Sequence, residues 1–165
     1  MPIDLKVYTL VHVVLSLFGI FSGLVVAGGF VSGTRLPRWI DFFLVTTLLT
    51  SLTGFGFPFV TILPSHIVGG LSLIVLAGAF AAAYWKRLES RWLPAFVVLS
   101  IVALYLNVFV LLAQLLQKIP ALAILAPDPA APAFGATQGV VLLLFVLLGW
   151  GAVKGSAHET SQRSR

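Results

Sequence analysis

The chain reads as long apolar runs broken by short polar punctuation. Five runs approach the roughly 20 apolar residues that a helix needs to cross a bilayer core of about 30 Å. They cover residues 7–30, 39–60, 66–85, 92–117 and 134–153. No Lys, Arg or Glu falls inside any of them, and Asp41 sits only at the entrance of the second, beside Arg38 and Trp39. The links at 61–65 and 86–91 are short. The longer link, 118–133, contains Pro120, Pro127, Pro129 and Pro132, which argue against a sixth span. Its apolar middle, 121–126, is expected to lie along the membrane interface. The pattern predicts an all-α polytopic membrane protein, a five-transmembrane-helix bundle over 1–153. A polar tail, 154–165, is expected to be short and mobile.

Composition points the same way. Of 165 residues, 59% are hydrophobic and 9% are charged, whereas a soluble domain carries about 25% charged residues. A surface with so little charge is not kept in water. This excludes a soluble enzyme, a free nucleic-acid binder and a disordered tail. There is no cysteine, which excludes a disulfide framework, a thiolate metal site and an iron–sulfur cluster.

Charge sets the expected orientation. Lys6 and Lys118 lie on the side of the N-terminus. Arg35, Arg38, Lys86, Arg87, Arg91, Lys154, Arg163 and Arg165 lie on the other. Cytoplasmic loops carry the excess of Lys and Arg, so the N-terminus is expected outside and the C-terminus inside. The net charge of +5 is this bias and not a nucleic-acid patch. Trp39, Trp85, Trp92 and Trp150 all fall at the cytoplasmic ends of their runs, where indole favours the headgroup layer. The expected location is a bacterial inner membrane. The expected partners are the lipid bilayer and a membrane protein partner or a second copy of the chain. The first run is longer than a signal-peptide core, and Asp4 offsets Lys6, so it is expected to remain as a span. Met1-Pro2-Ile3 lacks the glycine of a myristoylation signal.

Small residues mark expected helix contacts, because they let backbones approach in lipid. Gly19-x-x-x-Gly23 lies in the first run, Gly135-x-x-x-Gly139 in the fifth, and Gly69, Gly70, Ala77 and Ala81 in the third. His12, Ser16, Gly19 and Gly23 share one helical face. Ser100, Asn107 and Gln114 recur every seven residues and form one stripe. The second run carries Thr46, Thr47, Thr50, Ser51 and Thr53, whose hydroxyls can satisfy their own helix carbonyls. Asn107 and Gln114 do this less readily and are expected to face the bundle interior. With Ser16, Gln138 and the histidines they form a candidate polar cluster in the outer half of the membrane.

The histidines carry the sharpest chemistry. At 1.5 Å per residue, His12 and His66 both lie roughly 27–28 Å from the tryptophan end of their runs. Imidazole is the commonest metal and haem ligand, so the pair are candidate haem or metal ligands, with haem b as the possible cofactor. Interhelical hydrogen bonding is the competing structural reading. Phe55, Phe57 and Phe59 beside them are candidate walls of an apolar pocket, and an aromatic stripe at a helix end also serves simple packing.

The segments Leu10-Val11-His12, Thr53-Gly54-Phe55-Gly56-Phe57-Pro58-Phe59, Leu63-Pro64-Ser65-His66-Ile67 and Leu106-Asn107-Val108-Phe109 resemble a family of small bacterial inner-membrane proteins. The resemblance covers the five spans and not the tail. It implies a location and no activity.

Two functional readings follow. One is a non-enzymatic membrane protein: an accessory subunit, or a binder of a small molecule or lipid. The alternative is a haem- or quinone-binding electron-transfer subunit that uses His12 and His66. A transporter fits less well, because His12 stands alone as an ionisable group within the runs and no inverted repeat is visible. A hydrolase has no support from a His-Glu-x-x-His or Gly-x-Ser-x-Gly motif.

Overall fold

The structure is a computed structural model that describes residues 4–57, 64–89, 91–124 and 128–163. Every regular element among them is helical. Helix α1, Leu5–Val31, starts at Asp4, whose carboxylate accepts from the Lys6 backbone N–H at 3.0 Å. This satisfies one of the donors that a helix start leaves open. Helix α2, Pro37–Gly54, opens on a proline, which suits a first helical position because its missing N–H is not needed there. Helix α3, Pro64–Phe80, continues into a π-helical turn, Ala81–Trp85. Helix α4 spans Trp92–Lys118 and α5 is one turn, Pro120–Ala123. Helix α6, Pro132–Arg163, closes the chain.

Four helices are long and apolar enough to cross a membrane: Leu5–Val31, His66–Trp85, Trp92–Lys118 and Pro132–His158. The chain is therefore an integral, multi-pass membrane protein by the length and composition of its helices. The second expected span is more modest. Its helix has 18 residues, about 27 Å at 1.5 Å per residue, and holds Arg38, Asp41 and five hydroxyls. Residues 58–60 of that expected span lie outside the described residues.

The hydroxyls of α2 hide their polarity locally. Thr46 donates to the Phe42 carbonyl at 2.7 Å, Thr50 to Thr46 at 2.9 Å and Ser51 to Thr47 at 3.0 Å. Ser22 on α1 does the same to Phe18 at 2.7 Å. Such back-bonding lets Ser and Thr sit in an apolar bundle without a partner on another helix.

Burial rises toward the tryptophan end. Phe30, Phe43, Phe96, Leu44, Leu76, Leu93 and Leu104 form the most buried core. On α1, burial begins at Gly19, and the first four turns carry no buried residue. The expected contact face of α1 is correct. A Cβ on Gly23 would lie 2.7 Å from Leu104 Cδ1 and 2.8 Å from Phe43 Cε2, and Ala27 is buried.

Two expectations are corrected. Among the described residues nothing lies within 4 Å of a Cβ built on Gly135 or Gly139. That Gly-x-x-x-Gly lies on a face of α6 turned away from the bundle, because α6 packs through Gln138, Phe145 and Ala152 instead. On α3 the small residues also divide: Gly69 meets the Phe55 ring at 3.3 Å, whereas Gly70 meets nothing and Ala77 is exposed. The tail region also contributes helix. Helix α6 runs through it to Arg163, and Gly155 and Ser156 are buried. A Cβ on Gly155 would collide with the carbonyl oxygens of Phe30 and Val31, so the helix passes directly over the end of α1.

Candidate functional site

The interior face of α1 carries Tyr8, His12, Ser16, Gly19 and Gly23, at steps of four, four, three and four. Burial deepens along it, from half-buried at Tyr8, His12 and Ser16 to fully buried at the glycines. At its outer end Thr53 of α2 is clasped twice. The Tyr8 hydroxyl donates to the Thr53 carbonyl at 2.6 Å. That carbonyl belongs to the last turn of α2, where it also accepts from the Gly56 backbone N–H at 3.1 Å. One helical turn deeper, His12 Nδ1 lies 2.9 Å from Thr53 Oγ1.

The direction of this second bond follows from proton counting. The Thr53 hydroxyl has one proton, and it is directed at the Leu49 carbonyl at 2.7 Å. With that proton on the Leu49 carbonyl, the oxygen is an acceptor for a proton on His12 Nδ1. Phe57 packs edge-on against both rings, at 5.0 Å from Tyr8 and 5.2 Å from His12. Gly54 and Gly56 make room: a Cβ on Gly56 would collide with the Tyr8 hydroxyl. Thr53→Val should remove the acceptor for His12 and lower stability in detergent by about 1 kcal/mol. In a His12→Phe background the same change should cost measurably less, and equal costs in both would separate the two residues.

The structure thus gives His12 a partner, Thr53, that lies outside the candidate polar cluster. The expected candidates occupy several places. His66 packs against Phe55, with ring centroids 6.0 Å apart. Phe59 lies outside the described residues. Gln138 is buried and donates through Nε2 to the Phe109 carbonyl at 3.1 Å. Gln114 is exposed and does not join the interior cluster. Its heptad spacing from Asn107 holds, but α4 carries few buried residues beyond Asn107, so the outer end of the stripe emerges from the bundle. Ser51 and Ser72 hydroxyls meet between α2 and α3 at 3.1 Å.

Gly19 marks the deep end of the seam. A Cβ there would lie 3.2 Å from Asn107 Nδ2 and 3.2 Å from Thr47 Oγ1. Both of these atoms are buried and have no hydrogen-bond partner among the described residues, and the same holds for Ser100 Oγ and Gln138 Oε1. Asn107 Nδ2 and Thr47 Oγ1 approach one point from α4 and α2, so their separation is no more than twice that distance. One water or one ligand hydroxyl can span such a gap with ordinary hydrogen bonds of about 2.7–3.2 Å. Sequence reasoning selected Asn107 and Gly19 but missed Thr47 and Tyr8. Thr47 resembles its back-bonded neighbours in sequence, and only the crossing of α1 over α2 distinguishes it.

Among the described residues no group of three or more His, Cys, Asp or Glu side chains is arranged to hold a metal ion. The chain matches no family model, no curated protein sequence and no solved structure.

Proposed function

We propose that the chain is a non-enzymatic, multi-pass protein of a bacterial inner membrane, acting as an accessory subunit or a binder of a small neutral molecule or lipid. The observation that carries this reading is the pair of unspent polar atoms at Gly19. An unpaired polar group in hydrocarbon costs several kcal/mol. Asn107 Nδ2 offers a donor and Thr47 Oγ1 can accept or donate. Both are neutral, so their complement is a neutral hydroxyl or carbonyl rather than an ion. The N-terminal half of α1 adds the half-buried Tyr8, His12 and Ser16 on the same face.

Asn107→Leu tests this directly. Replacing a polar group that has no partner is neutral or stabilising, whereas removing one that holds a bound molecule is destabilising. The expected result is a loss of about 1–3 kcal/mol on unfolding in detergent. Native mass spectrometry of the wild type should also reveal a small neutral adduct that the variant lacks. An unchanged or raised stability, with no adduct on the wild type, would overturn the reading. A visible spectrum of the same sample separates the alternative, because a Soret band would favour a haem held by His12 and His66.

The proposed topology has five spans, with α2 as the shortest, the N-terminus outside and the C-terminus cytoplasmic. The eight-to-two division of Lys and Arg supports it. A reporter fused at Arg165 should be active only in a cytoplasmic format, and one inserted near Asp128 only in a periplasmic format. Both reading out on the same side would exclude five spans.

A further inference from the structure

The tryptophan end of the bundle collects cations from every segment that reaches it. Arg35 lies between α1 and α2, Arg38 at the start of α2, Lys86, Arg87 and Arg91 between α3 and α4, and Lys154 on α6. These segments meet in space. Gly155 of α6 lies on the Phe30 and Val31 carbonyls of α1, Tyr84 donates to Asp41 at 2.6 Å, and the Phe30 and Phe96 rings are 5.9 Å apart. The carboxylates whose side chains are described at this end are Asp41, which accepts from Tyr84, and Glu89. In the sequence this end carries eight Lys and Arg against three carboxylates, Asp41, Glu89 and Glu159.

We infer that this end is a docking surface for the headgroups of anionic phospholipids. The argument rests on charge together with the placement of the indoles. Lys86 Nζ lies over the Trp92 ring at 5.3 Å, and Lys154 Nζ over the Trp150 ring at 4.7 Å. A cation over an indole face is held there electrostatically. Indole itself settles in the headgroup layer, so both ammonium groups are fixed at the depth of lipid phosphates. Trp85 and Trp150 are 84% and 66% exposed, which leaves their ring bodies for acyl chains. Arg87 and Arg91 are exposed in the same α3–α4 turn as Lys86. The surface is separate from the Gly19 seam, and its test does not depend on that reading.

The probe is phosphatidylglycerol against phosphatidylcholine of the same acyl chains, with the full chain in nanodiscs or mixed micelles. Each cation near an anionic surface contributes about fivefold in partition. At low salt, native mass spectrometry should find the anionic lipid retained at least about tenfold over the zwitterionic one. The preference should fall toward parity at high salt, because exposed charges are screened. Lys86→Gln, Arg87→Gln, Arg91→Gln and Lys154→Gln together should abolish it while leaving the melting temperature in phosphatidylcholine nearly unchanged. Equal retention of both lipids by the wild type, or a variant that keeps the preference, would overturn the inference. If the variant does not fold, the wild-type salt series decides alone, and a preference indifferent to salt overturns it. Inorganic phosphate at matched ionic strength should leave the melting temperature unchanged. A rise equal to that given by the lipid would point to free phosphate instead.

Discussion

Alanine at position 155 is expected to lift α6 away from the end of α1 and to lower stability by about 3 kcal/mol. The Cβ it adds would meet the carbonyl oxygens of Phe30 and Val31, and these are backbone atoms that no rotamer change can clear. The approach is mutual. Gly33, at φ +68°, turns the chain after α1, and a Cβ there would lie 3.3 Å from the Gly155 carbonyl oxygen. Gly33 therefore supplies a left-handed turn that L side chains seldom adopt, and Gly155 supplies the space above it. Gly139→Ala is the matched control on the same helix, because nothing lies within 4 Å of its Cβ. It should be neutral, or stabilising by up to about 1 kcal/mol through helix propensity. Unfolding of both variants in one detergent checks the pair, and similar melting temperatures would mean that α6 does not cross α1 so closely.

The contrast between Gly155 and Gly139 shows how far the sequence could be read. Hydropathy locates the four helices that are long and apolar enough to cross a membrane, because run length against bilayer thickness is a property of each segment alone. Periodicity also placed the inner face of α1 correctly, since His12, Ser16, Gly19 and Gly23 share it whatever surrounds them. Which glycines touch a neighbour is a different question. Gly135-x-x-x-Gly139 has the spacing of a contact motif and meets nothing, while Gly155, in a segment read as tail, makes the tightest backbone approach of α6. That depends on where α6 crosses, and no single segment encodes a crossing point. The end of α6 shows a related limit. Its residues from Lys154 onward are polar, and polarity marks the end of a span but not the end of a helix.

The candidate site was legible to a similar degree. His12 was identified as a residue that must find a polar partner, and it does. The partner is Thr53, in a helix whose hydroxyls looked self-sufficient. Thr53 does bond back to its own helix, and that is what turns its oxygen into an acceptor for His12. Gln114 is expected inside from its amide and its heptad spacing, and it is exposed. The inward stripe of α4 ends once the neighbouring helices cease to cover it, a boundary set by packing. The phenylalanines of the Thr53–Phe57 segment do stand beside histidines, one on each: Phe57 on His12 and Phe55 on His66.

Gly23→Leu should be as damaging as any change in the membrane interior, again by about 3 kcal/mol. The bare Cβ would already stand 2.7 Å from Leu104 Cδ1 and 2.8 Å from the Phe43 ring. Leucine adds three more carbons in the same direction. Phe43 is fully buried and Leu104 nearly so, so neither has a free volume into which to turn. The insertion must therefore separate α1 from both α2 and α4, and that separation also takes Gly19 away from Thr47 and Asn107 one turn further out. Leu24→Ile, at the next residue, changes a side chain that is 48% exposed on the lipid face. It should shift stability by less than about 0.5 kcal/mol. Helix propensity and hydrophobicity both favour Gly23→Leu over Leu24→Ile, so a loss confined to position 23 comes from contact geometry. Equal tolerance in a detergent melt would place this face of α1 toward lipid, and would remove the Gly19 seam with it.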